Sequence, residues 1–131
     1  MCIFCKIVNN ELPSYKVYED DEFLAILDIA QTTDGHTLVF PKKHIVDIFE
    51  IDDETLSKLI TLTKKLSDKV VTKMNATGLN LLNNTNESAG QSVHHIHFHI
   101  IPRYDESDEV TISFNRKSKF DLEEILNKIN G

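Results

Sequence analysis

Residues 94–99 read His94-His95-Ile96-His97-Phe98-His99, so four of the chain's six histidines fall in one hexapeptide. No other feature constrains the fold as tightly. Side chains of an extended strand alternate between its faces. His95, His97 and His99 therefore share one face, while Ile96, Phe98 and Ile100 share the other. The spacing predicts a strand over Val93–Ile101, stopped by Pro102, that buries its apolar side and holds imidazoles over a site. The three triad residues span ~13 Å at ~3.4 Å per residue, too far for all three to close on one metal ion. A division of labour fits better: one ring as ligand or spacer, one as nucleophile, one as phosphate contact. Neutral imidazole is a competent nucleophile near pH 7, and a phosphorylated ring nitrogen leaves readily in a second step.

The remaining pattern supplies partners for such a strand. Lys16–Glu19 and Phe23–Asp28, separated by Asp20-Asp21, read as a hairpin. In His36–Phe40, His36, Leu38 and Phe40 take one face and Thr37 and Val39 the other, with Pro41 as the stop. Asp52 or Asp53 caps a long helix carrying Leu56, Leu59, Ile60, Leu66, Val70 and Met74 at helical spacing, with Gly78 as its C′ residue. Leu79–Asn83 reads as a strand, Asn84–Ser92 as a polar loop, Asp105–Glu109 as a solvated acidic loop, and Asp121–Ile129 as a short terminal helix. Strands with one long helix and no regular βαβ alternation indicate an α+β fold with a mainly antiparallel sheet. At 131 residues, one domain with one core over 1–131 is expected.

Charge narrows the function classes. A net charge of −7 argues against a general nucleic-acid binder. An acidic chain that binds a small anion must supply the positive field locally, through imidazoles, backbone N–H groups or a few basic side chains. Ala89-Gly90-Gln91-Ser92, just before the triad, is suited to holding an anion. Gly90 permits close backbone approach, and Ser92 adds a hydroxyl. Cys2 and Cys5 are the only cysteines, and their spacing suggests metal or redox chemistry more than a disulfide. Met1–Val8 carries Lys6 and runs into Asn9-Asn10-Glu11, so no signal peptide is evident. No apolar stretch approaches the ~20 residues of a spanning helix. A cytoplasmic protein with no membrane or nucleic-acid partner is expected.

The run Gly90-Gln91-Ser92-Val93-His94-His95-Ile96-His97-Phe98-His99-Ile100-Ile101-Pro102-Arg103 resembles the signature of the histidine-triad (HIT) family. Ile3-Phe4-Cys5-Lys6-Ile7, Val17-Tyr18-Glu19-Asp20, Leu27-Asp28-Ile29, Gly35-His36-Thr37-Leu38-Val39 and Pro41-Lys42-Lys43-His44 resemble further family landmarks in the same order. Together they cover about residues 2–104. The resemblance implies a five-stranded, mainly antiparallel sheet with one long helix, paired into a homodimer. It implies a nucleotide hydrolase or transferase that cleaves purine nucleotide conjugates through a nucleotidyl-histidine intermediate. His97 matches the nucleophile, His99 and His36 match residues that contact phosphate or orient it, and Ser92 matches a hydroxyl that helps the leaving group depart. Asn84, Gly90 and Gln91 fall near the phosphate, and Asp28 matches the carboxylate on the ribose hydroxyls. Phe4, Ile7, Ile26 and Ile29 match apolar positions that wall the base. A structural Zn²⁺ on Cys2, Cys5, His44 and His95 matches relatives that share the N-terminal Cys pair. No Trp occurs, unlike in some phosphoramidase members, and Ile101-Pro102-Arg103 looks like the dinucleoside polyphosphate branch, whereas Asp28 and Ser92 are phosphoramidase-like.

Two other functions fit the bare sequence. One is a metal-dependent hydrolase with His95 and His97 as ligands. The other is a nucleotide-binding regulator whose hydrolysis is incidental.

Overall fold

The triad strand needs neighbours on both sides, and the computed structural model, which describes residues 2–131, supplies them. Helix α1 (Ile3–Val8) precedes strands β1 (Lys16–Glu19), β2 (Phe23–Leu27) and β3 (Thr37–Pro41). Helix α2 (Asp53–Lys73), β4 (Gly78–Leu82), β5 (Phe98–Arg103) and helix α3 (Leu122–Asn130) complete the order. The five strands form one antiparallel sheet in the order β1-β2-β3-β5-β4. The α+β class and the sheet agree with the sequence reading.

Alternation along the strands builds two cores. Phe23, Ala25, Val39 and Ile100 face α2, where they meet Leu59, Leu62, Leu66 and Val70. Leu24, Ile26, Leu38 and Phe40 face the other way and are covered by Phe4 and Ile7 of α1. Phe4 stacks on Phe40 with ring centroids 4.4 Å apart. The sheet is thus buried on both faces, which is why β2 and β3 read as nearly continuous apolar runs. Asp52 caps α2, its carboxylate accepting from the Thr55 N–H at 3.1 Å. Thr63 and Ser67, buried on the inner face, donate to the carbonyls of Leu59 and Thr63, so neither hydroxyl is left unsatisfied.

Four details differ from expectation. The β5 ladder starts at Phe98, and residues 93–97 are irregular. Ile96 N–H instead donates to the Ile45 carbonyl at 2.7 Å, which pulls this stretch away from β3. Pro102 lies inside β5, but pairing with β3 ends at Ile100, so the missing proline N–H deprives no ladder of a bond. Asn75, at φ 56°, takes the left-handed position after α2; Gly78 already belongs to β4, paired with Arg103. Finally, Asp105–Glu109 is anchored rather than simply solvated, since Asp108 accepts from Arg103 Nε and from the Tyr104 N–H.

Candidate functional site

The face predicted to carry three imidazoles serves two places. His95 turns toward the N-terminus, while His97 and His99 line a cavity of about 550 Å³ between α1, the end of β2 and the segment before β5. Backbone partners fix the tautomer of each ring, and the three assignments follow from which groups can donate.

His95 is fully buried. Its Nε2–H donates to the Pro41 carbonyl at 2.7 Å, leaving the Nδ1 lone pair toward Cys2 and Cys5 at 3.4 and 3.6 Å. His44 Nδ1 lies 3.5 and 3.3 Å from the same two sulfurs, which are 3.2 Å apart. Tetrahedral zinc with bonds of about 2.0–2.3 Å sets its ligand atoms roughly 3.3–3.8 Å apart, so the donor set and spacing suit Zn²⁺. The carbonyl behind His95 is the outer partner that orients a metal-bound imidazole. Burial, and then the neighbouring Cys2, push the Cys5 thiol up from its ordinary value. A divalent cation at the centre removes that penalty. Cys2 also caps α1, its sulfur accepting from the Cys5 N–H.

His97 donates Nδ1–H to the His95 carbonyl at 2.8 Å, so Nε2 is the nitrogen left with a lone pair on the cavity wall. Phe4 meets this ring edge-on with centroids 5.1 Å apart. Burial holds the His97 pKa below its ordinary value, so the ring is neutral at pH 7. The metal-dependent reading loses support here. Among the described residues, no cluster of three or more potential ligand atoms includes His97, and His95 turns to the cysteines.

A relay stands behind His99. The Thr32 N–H donates to His36 Nδ1 at 3.3 Å, so His36 carries its proton on Nε2 and donates to His99 Nδ1 at 2.9 Å. His99 must then carry its own proton on Nε2, beside His97, with the two centroids 5.0 Å apart. One neighbouring ring offers a lone pair and the other a proton. Burial and the nearby His97 and His36 push the His99 pKa down to about 4; burial also lowers that of His36, against the pull of Asp28. An unfolded histidine titrates near 6.5, so between that pH and about 4 the unfolded chain binds more protons than the folded one. Stability is therefore full above pH 6.5 and falls as the pH drops through the window. Urea midpoints measured at pH 7.5, 5.5 and 4.5 should fall steadily, with a shallower slope for His99→Gln. A flat profile in the wild type contradicts neutral buried rings.

Of the other residues singled out in the sequence, Phe4, Ile7, Ile26, Asp28, Ile29 and Ser92 line the same cavity. Ile29 does so as a rim residue, 89% exposed. Asp28 divides its oxygens: Oδ1 accepts from the Ala30 N–H at 2.9 Å, capping the turn, and Oδ2 lies 3.6 Å from His36 Nε2. Gln91 does not offer its side chain. It is buried, donating to the Val46 and Val93 carbonyls and accepting from the Asn86 N–H. Its work is to hold the loop that presents Gly90, whose φ of 93° favours glycine. Asn84 Nδ2 approaches the Gly90 carbonyl at 3.5 Å. Neither Asn84, Gly90, Gln91 nor His36 lines the cavity, and no Lys or Arg does. Sequence reasoning missed Thr32, which sets the His36 tautomer, and wall residues such as Leu12, Pro13 and Val93. A backbone donor leaves no sequence signal; an apolar residue next to a recognised motif leaves a faint one.

The sequence profile of the HIT domain matches residues 9–106. Adenosine 5′-monophosphoramidase HNT1 of Saccharomyces cerevisiae is 36% identical over 99% of this chain and 84% of its own length. Crystal structures of HIT family proteins from Bacillus anthracis and Bacillus subtilis superpose with TM-scores of 0.91, at 42% and 43% identity, over 98% of this chain and 92% of theirs. A zinc-bound histidine triad family protein from Mycobacterium smegmatis superposes with a TM-score of 0.78, at 37% identity, over 90% of this chain and 84% of its own.

Proposed function

The chain belongs to the HIT domain family, and from that footing we propose that it is a nucleotide hydrolase or transferase in which His97 attacks the α-phosphorus of a purine nucleotide conjugate. The observation that carries this reading is the pairing of a fixed, neutral His97 with a His99 whose outward nitrogen holds a proton. Attack needs the lone pair and departure needs the proton, and the two sit side by side.

The base lies among Phe4, Ile7 and Ile26, with Ile29 at the rim, and the Asp28 carboxylate, whose Oδ2 is only loosely engaged by His36 at 3.6 Å, accepts the ribose hydroxyls. The cavity's volume falls in the range of small-ligand sites. His97 Nε2 forms a bond to the α-phosphorus as the bond to the leaving nitrogen or oxygen breaks. That leaving atom takes its proton from His99 Nε2 or through Ser92. Ser92 and the His99 imidazole stabilise the equatorial oxygens, since no basic side chain lines the cavity. The Gly90 and Gln91 N–H groups, already donated to the Glu87 and Asn86 carbonyls, hold the loop that carries Ser92. Water then cleaves the nucleotidyl-histidine, giving the nucleoside monophosphate and restoring His97. Cys2, Cys5, His44 and His95 hold Zn²⁺ outside this chemistry, where it fixes α1 and the backbone carbonyl that orients His97. A homodimer and a cytoplasmic location belong to the same reading; among the described residues no helix is long and apolar enough to cross a membrane.

The yeast relative's activity supports the phosphoramidate class. Initial rates with adenosine 5′-phosphoramidate are expected to exceed those with diadenosine polyphosphates by tenfold or more, with the 2′,3′-dideoxy phosphoramidate losing about as much through KM. No turnover of either class supports a regulator that only binds nucleotides. Equal KM for the ribo and dideoxy substrates removes Asp28 from the ribose.

A further inference from the structure

The β2–β3 ladder ends on an irregular rung. Leu27 pairs with Thr37, and one step further the Asp28 N–H donates to the His36 carbonyl at 3.0 Å. Residues bonded in this way across an antiparallel pair exchange two hydrogen bonds, so the His36 N–H should return to the Asp28 carbonyl. It does not. The Gln31 carboxamide stands between them. Its Nε2 donates to the Asp28 and His36 carbonyls at 2.5 and 2.7 Å. Its Oε1 accepts from the Gly35 and His36 N–H groups at 2.8 and 3.1 Å; the His36 N–H also reaches the Thr33 carbonyl at 3.1 Å. The partners settle which way the amide points, because carbonyls can face only its NH₂ and N–H groups only its oxygen. Gln31 is exposed, so it fills no core. Its whole hydrogen-bonding capacity is spent on one gap.

An amide inserted in a ladder holds the two strands further apart than a direct bond would. The residues held apart here are Asp28 and His36. Asp28 Oδ2 lies 3.6 Å from His36 Nε2, beyond hydrogen-bond length, whereas His99 Nδ1 lies at 2.9 Å. The His36 N–H therefore goes to His99. Charge alone would choose otherwise, since a carboxylate is a stronger acceptor than a neutral imidazole. Spacing decides. The outside of the turn is pinned independently of Gln31. Thr33 Oγ1 donates to the Pro102 carbonyl at 2.6 Å, and the Tyr104 hydroxyl donates to the Asp34 carbonyl at 2.5 Å. Gly35, at φ 99°, packs so closely that an added Cβ would meet Met74 and Pro102 at 3.1 Å. Loss of the Gln31 amide leaves the turn anchored and frees only its inner gap.

We propose that Gln31 is a positioning residue whose carboxamide wedges the β2–β3 ladder open, keeping Asp28 free for the ribose and directing the His36 N–H to His99. The ribose role of Asp28 rests on the function proposed above; the wedge does not. Without the amide, the His36 N–H and the Asp28 carbonyl close the regular rung, and the Asp28 carboxylate takes the His36 Nε2–H. Gln31→Met keeps the side chain's length and removes all four bonds. Gln31→Glu keeps the acceptor but turns its second oxygen against two carbonyls. Long-range ¹H–¹⁵N spectra of the ligand-free full chain read the histidine tautomers. The wild type is expected to hold His99 protonated on Nε2 alone, and both variants to show a mixture of tautomers at His99 with α2 amide shifts unchanged. In kinetics, the roughly tenfold KM ratio between the 2′,3′-dideoxy and ribo adenosine phosphoramidates is expected to fall below about threefold in both variants, through the ribo substrate alone. A merely structural defect would raise both KM values together. The proposal is overturned by a mixed His99 tautomer in the wild type, by variants that keep the wild-type tautomer, or by equal KM rises for the two substrates. A wild type that does not discriminate the sugars refutes the ribose reading instead, and the spectra then decide the wedge alone. Should one variant misfold, the other decides.

Discussion

Replacing His97 with Asn is expected to lower kcat by on the order of 10⁴-fold or more, with nucleotide affinity changed by less than tenfold. The substitution isolates the chemistry because the Asn amide can still donate to the His95 carbonyl, as His97 Nδ1–H does at 2.8 Å. What disappears is the Nε2 lone pair on the cavity wall. Base and ribose contacts fall to Phe4, Ile7, Ile26 and Asp28, so binding survives. His99→Gln should cost less, about 10²–10³-fold, since Ser92 and water remain as routes for the proton. Leaving groups that depart without a proton should narrow that gap, because the role assigned to His99 is then unnecessary. The acid limb of kcat for the wild type should fall below pH 6.5, since burial holds the His97 pKa down. A His97→Asn enzyme that keeps a tenth of its turnover contradicts the assignment.

Removing the metal is expected to loosen the whole N-terminal side. An ion bound at about 1,000 times its Kd adds roughly 4 kcal/mol to stability. For a chain this size that is on the order of 10–15 °C in Tm. Chelation of metal-replete protein, or Cys5→Ser, should give a loss of that order, and zinc should restore the chelated protein but not the variant. The functional effect should fall on KM before kcat. The ligands Cys2 and Cys5 flank or lie in α1, and the same helix presents Phe4 and Ile7 to the cavity and to the core beneath the sheet. A smaller kcat effect follows through His95, because its carbonyl orients the nucleophile. Equal Tm with and without chelator, in protein with no stoichiometric metal, contradicts the zinc assignment.

The elements legible in the sequence are those in which one physical rule dominates. The nearly continuous apolar runs of β2 and β3 mark strands with two buried faces, and the alternation of imidazole with apolar residues marks β5. Asp52 and the leucines of α2 mark a capped amphipathic helix. Helix α1 escaped notice because six residues carry almost no periodic signal; it forms by packing Phe4 and Ile7 against the sheet and by the convergence of Cys2 and Cys5 on His95 and His44. The triad shows the same limit. Its residues could be named from the hexapeptide, but an ideal strand sends all three rings to one face over one site. Release of residues 93–97 from the β3 ladder, through the Ile96–Ile45 bond, lets His95 serve the cysteine cluster while His97 and His99 serve the cavity. The partners that set the tautomers are the Pro41 and His95 carbonyls and the Thr32 N–H. Backbone groups are the same in every residue, so only the fold reveals them.

Catalysis by this route requires a covalent bond between His97 and the nucleotide. Rapid acid-free quenching of the enzyme with an α-labelled adenosine phosphoramidate, followed by peptide mass spectrometry, tests it directly. The expected result is an adenylyl group on His97 that forms and decays within one turnover, stable to base and labile to acid. Full turnover without any covalent adduct, or an adduct on a residue other than His97, contradicts it.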